Sequence, residues 1–114
     1  MLLTASVTYR KGFHVLIGDE RSQAATLVIQ PGAKVGGDEN RHGGADQWIY
    51  VEDGQGVAEI AGKTLELAPG SLILIQRGES HGFRNTGSDE LRILTFYVPP
   101  AYDENENELP AGLP

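Results

Sequence analysis

The chain has 114 residues, no cysteine and a net charge of −7, from nine basic against sixteen acidic side chains. That length predicts one domain with a real core, and the lack of cysteine excludes disulfides, thiolate metal sites and a cysteine nucleophile. The acidic balance argues against a nucleic-acid partner and an anionic membrane surface, both of which require a basic face, and no apolar run approaches the roughly 20 residues that span a bilayer.

The opening MLLTASVTYRKGF lacks the sustained apolar stretch of a signal peptide, so a cytoplasmic setting is expected. Short apolar runs then follow one another, each closed by glycine or proline: FHVLIG, ATLVIQPG, QWIYVEDG, GVAEIAG, KTLELAPG, SLILIQRG, HGFRNTG and LRILTFYVPP. They are rich in β-branched and aromatic residues and show no 3.6-residue period, which predicts an all-β sandwich or barrel. Between the second and third runs, PGAKVGGDENRHGG reads as a glycine-rich loop; it lacks the spacing of a phosphate cradle. Asp53-Gly54 reads as a type I′ hairpin turn and Gly62 as a second hairpin. His14 reads as a surface or edge-strand residue. Residues 1–102 are expected to form the single domain and 103–114, DENENELPAGLP, an acidic tail. Its composition suits a mobile solvated segment; a strap docking Leu109 and Leu113 on this or a neighbouring subunit is the alternative.

A period of two places His81, Phe83 and Asn85 on one face of HGFRN. Gln47, Ile49 and Val51 share a face of the QWIYVEDG run, Trp48 and Tyr50 point the other way, and Asn40 and His42 share a face upstream. If the two regions stack, His42, Gln47 and His81 converge. Buried polar groups of this kind need partners, and a divalent ion would satisfy several at once; the alternative is a metal-free barrel whose polar groups bond to water and each other. The apolar character of both faces of LRILTFYV, with Trp48 and Tyr50, predicts a strand covered by a partner and hence a homodimer.

GSLILIQRGESHGFRN resembles the second motif of the cupins, Gly-x5-Pro-x-Gly-x2-His-x3-Asn: Gly70, Gly78, His81 and Asn85 fall at the expected spacing, with Gln76 where proline is usual. NRHGGADQWIYVEDG resembles the first motif. His42 takes the second histidine position, Gln47 the glutamate position and Gly54 the terminal glycine, while Asn40 stands at the first histidine and Gly32 lies two residues too early. The strings NRH, GADQW, RGESH, NTG and YVPPAY are similar to those of a subgroup of small single-domain bacterial cupins. The resemblance implies a double-stranded β-helix, or jelly-roll barrel. It also implies a metal ion held inside by Asn40, His42, Gln47 and His81, beside a pocket walled by Phe83 and Ile49.

All four implied ligands are neutral, where the family's usual set of three histidines and a glutamate carries one negative charge. Asp38, Glu39 or Asp46 could restore charge. Imidazole and carbonyl-oxygen ligation suits Zn, Mn, Fe, Ni or Co. The implied activity is either metal-dependent isomerase, dioxygenase or lyase chemistry on a small anionic or oxygenated metabolite, or noncatalytic binding or sensing of such a molecule or of the metal. A structural role with an empty barrel is a third reading.

Overall fold

The computed structural model describes residues 3–37 and 42–113. Nine strands follow in order: β1 Gly12–Gly18, β2 Gln23–Ile29, β3 Lys34–Gly37, β4 Asp46–Asp53, β5 Gly56–Ile60, β6 Lys63–Leu67, β7 Leu72–Ile75, β8 His81–Asn85 and β9 Leu91–Val98. A short 3-10 turn, Pro110–Gly112, closes the described chain. One sheet has the order β1-β2-β9-β4-β7 and the other β3-β8-β5-β6, with antiparallel pairing throughout.

The two sheets meet through the alternate residues that the period of two selects. Leu27, Ile29, Ile49, Val51, Ile75, Leu91 and Ile93 from one sheet pack against Ala58, Ile60, Leu67 and Phe83 from the other. Ile49, Val51, Leu91 and Ile93 are fully buried; each large side chain so buried stabilises the fold by about 1.5–3 kcal/mol. A smaller cluster of Ala25, Ala45, Tyr97 and Ala101, with Phe13, Tyr102 and Ala111 against it, forms a second apolar centre.

Two local readings need correction. Asp53-Gly54 is not a hairpin, because β4 pairs with β7 and β9 while β5 lies in the other sheet. The turn signal is real but serves a corner between sheets. Gly54 has φ +94°, and a Cβ there would sit 2.5 Å from the Glu90 carbonyl oxygen. The glycine-rich loop contains a strand, β3, whose Val35 pairs with Phe83 and Gly36 with Gly82; its glycines hide the strand pattern. The outward face of β9 is open within one chain, with Phe96 and Val98 exposed and Arg92 and Leu94 half-buried. The Ala61-Gly62 connection is a hairpin loop as read, with Ile60 paired to Lys63.

The segment after Ala101 lies against its own barrel. The Leu109 N–H donates to the Ala101 carbonyl (2.8 Å), and the Gly44 and Gly43 N–H groups donate to the carbonyls of Ala111 and Leu113 (both 3.0 Å). Some of the polar residues that speak for a solvated tail have partners: Asp103 Oδ1 accepts from the Asn105 and Asn107 N–H groups in a local turn, and Glu106 accepts from the Val15 N–H of edge strand β1 at 2.7 Å.

Candidate functional site

His81 opens β8, and its inward direction follows from the pleat that also buries Phe83 and Asn85. His42 lies on the loop before β4, not on a strand. Its carbonyl accepts from the Gly78 N–H at 2.7 Å, which ties that loop to the turn leading into β8. The two rings thereby stand 5.1 Å apart between centroids, tilted by 36°. Both side chains are buried, at 4% and 2% exposure.

Each imidazole is held at Nδ1 by a main-chain carbonyl, His42 by Gly112 (3.1 Å) and His81 by Glu79 (3.3 Å). A carbonyl only accepts, so Nδ1 carries the proton and Nε2 keeps its lone pair free. Burial lowers both imidazole pKa values, with His81 brought to about 4 and its neighbour His42 adding to the fall. Both rings are therefore neutral at neutral pH, the form that ligates metals.

Gln47 on β4 is 3% exposed. Its Nε2 donates to Thr95 Oγ1 (3.0 Å) and to the Tyr97 hydroxyl (3.3 Å). Thr95 itself donates to the Trp48 carbonyl at 3.0 Å, so its oxygen must accept from Gln47. That fixes the amide with its NH2 on Thr95 and its Oε1 on the other side. Among the described residues Oε1 has no partner; Thr26 Oγ1 is the other such buried side-chain atom. An orphaned amide oxygen costs about 1–3 kcal/mol.

Two tyrosines complete the cluster. Tyr97 lies 5.1 Å from His42 and 5.4 Å from Tyr102 between ring centroids, and Tyr102 lies 5.9 Å from His42. Burial pushes both phenol pKa values up, with Glu108 adding to the rise; they are neutral donors, not bases. Ile49 and Phe83 belong to the apolar core, with Phe83 reaching the site through a ring contact with His81 at 5.9 Å.

The structure thus brings His42 and His81 together, and Gln47 is linked to them through Tyr97. Asn40, and with it Asp38 and Glu39, lies outside the described residues. Asp46 faces away, bound to the Arg77 N–H (3.0 Å) and guanidinium. His14 stands half-exposed on edge strand β1, its Nε2 on the Lys11 carbonyl. Sequence reasoning missed Thr95, Tyr97 and Gly112. The signal for the first two was available: Leu91, Ile93, Thr95 and Tyr97 share the inward face of β9, and two of them carry hydroxyls. Gly112 had no signal, since nothing local connects it to residue 42.

A separate groove of about 770 Å³ lies between β1 and the C-terminal segment, walled by residues that include Val15, Ile17, Pro99 and Leu109. Among the described residues it shares Tyr102 with the cluster, and its lining includes Asp19, Glu20, Asp103 and Glu104.

A sandwich of two antiparallel sheets with two histidines turned inward defines a β-barrel with an internal polar site, and the family match is direct. A family model described as a cupin domain matches residues 25–97; the chain belongs to the cupin family. It is 31% identical over 74 residues to the oxalate-binding protein of Thermotoga maritima, covering 65% of this chain and 60% of that relative's length. Among solved structures, a Bacillus halodurans protein superposes with a TM-score of 0.78 at 26% identity, covering 89% of this chain and 77% of that one. A predicted oxalate decarboxylase from Thermotoga maritima superposes with a TM-score of 0.70 at 27% identity, covering 77% and 79%.

Proposed function

We propose that the barrel binds one divalent ion between His42 and His81, with Gln47 Oε1 as a further donor, and that the site so formed captures a small oxygen-rich anion of the dicarboxylate class. The observation that carries this reading is the pair of neutral imidazoles 5.1 Å apart, each held at Nδ1 so that Nε2 is left to ligate. The donor set fits such an ion. It offers two imidazole nitrogens and one amide oxygen, which suits Zn, Mn, Fe, Ni or Co. When bound, the ion supplies Lewis acidity and positive charge. Because His42, His81 and Gln47 are all neutral, they leave that charge to be balanced by the ligand, which selects an anion. The relative named as an oxalate-binding protein supports the same ligand class.

Noncatalytic binding is favoured over turnover. Both imidazoles are occupied as ligands, and burial keeps Tyr97 and Tyr102 protonated, so these groups donate to a bound anion and do not abstract a proton from it. Calorimetric titration of oxalate into protein loaded with Mn²⁺ or Co²⁺, and into chelator-treated protein, tests the reading. Binding that requires the ion supports it; equal affinity with and without metal, or no binding of any dicarboxylate, refutes it.

The outer face of the five-stranded sheet supports a homodimer. Trp48 is paired across the ladder with Leu74 and Phe96, Tyr50 with Leu72, and Asp46 with Val98. The apolar members of this set are all exposed, Leu72 at 64% and Trp48 at 40%. A contiguous apolar patch of this kind marks an interaction surface.

A further inference from the structure

We infer that the C-terminal strap belongs to the site, and that the main-chain carbonyl of Gly112 is a positioning group which sets the tautomer and direction of His42. His42 stands on a loop, so no strand ladder orients it, and the next two residues are glycines with no side chains to lock the turn. The strap supplies what the loop lacks. Three successive strap carbonyls meet three donors of this short stretch: Ala111 takes the Gly44 N–H, Gly112 takes His42 Nδ1, and Leu113 takes the Gly43 N–H, at 3.0, 3.1 and 3.0 Å. The middle bond makes Nδ1 the protonated nitrogen and leaves the lone pair on Nε2.

The seat is specific for glycine. A Cβ at residue 112 would collide with the Ala101 carbonyl oxygen, so any side chain there displaces the strap. His81 does not depend on the strap, because its carbonyl partner is Glu79, two residues away on the same turn. The site therefore has one locally oriented histidine and one oriented by a segment 70 residues downstream.

This inference rests on His42 being a site residue, and its first readout needs no metal. The test is long-range proton–nitrogen correlation of the histidine rings in full-length, nitrogen-15-labelled, chelator-treated protein, followed by Co²⁺ titration. In the unaltered protein both His42 and His81 should show the Nδ1–H tautomer. In Gly112→Ala, His42 should become a tautomer mixture and Co²⁺ affinity should fall about tenfold, while His81 keeps its tautomer. Leu109→Asp, which loosens the strap at its half-buried apolar contact, should act the same way and serves if Gly112→Ala does not fold. An Nε2–H tautomer of His42 in the unaltered protein would overturn the inference. So would an unchanged His42 ring in a folded variant whose Gly43 and Gly44 amide signals have moved. If the tautomers behave as expected but the unaltered protein binds no Co²⁺, the positioning role stands and the metal reading of the site falls.

Discussion

Acidification of the metal-free protein should weaken it through His81 before the carboxylates contribute. The imidazole titrates at 6.5 in the unfolded chain and at about 4 when buried. Between these values the unfolded state holds a proton that the folded state refuses, so stability rises with pH across the window and is lost as pH falls through it. A gap of this size, at about 1.4 kcal/mol per unit, amounts to about 3 kcal/mol between pH 7 and pH 4, with a slope approaching one proton. His42, also lowered by burial, contributes in the same direction. The lowered carboxyls of Asp19, Asp46, Glu90 and Asp103 have ordinary values of 3.8 or 4.5, so they act mainly at the acid end. Urea unfolding followed by circular dichroism, in chelator, from pH 7.5 to 5 isolates the imidazoles. His81→Gln should flatten the stability curve in that window, whatever its effect at pH 7.5. Superimposable slopes for the two proteins would mean that the ring accepts a proton in place, and the burial argument would be wrong.

Gln47→Glu should raise divalent-ion affinity at least tenfold in calorimetric titration, because it adds one negative charge to a neutral donor set; unchanged affinity would remove residue 47 from the ligands. Asn85→Ala should cost about 2–4 kcal/mol in urea unfolding. The fully buried amide donates to the Ile29 and Asp89 carbonyls and accepts from the Gly87 N–H; a loss under about 1 kcal/mol would show that these groups find other partners. Sedimentation should give a dimer for the unaltered chain and a monomer for Trp48→Glu, and a monomeric unaltered protein at about 100 µM would refute the interface.

The barrel was legible because alternation and burial obey the same period. Gln47, Ile49 and Val51, and His81, Phe83 and Asn85, are buried as their sequence order requires. The two histidines could be brought together from the sequence through the cupin resemblance, whose spacings encode the stacking of distant turns. What stayed hidden was set by contacts without a local pattern. Strand β3 is half glycine, and glycine carries no facial preference to read. The corner at Gly54 uses the same dipeptide as a hairpin, since both need a positive φ. The strap looked solvated from its acidic composition; Asp103 is used in a local turn and Glu106 on edge strand β1, while its attachment runs through carbonyls that every sequence possesses.

The central claim is that His42 and His81 hold one ion jointly. Elemental analysis of the chain purified without an affinity tag, beside His42→Ala and His81→Ala, tests it most directly. The account predicts about one equivalent of a first-row divalent metal in the unaltered protein and its loss from both variants; equal metal content in all three would contradict it.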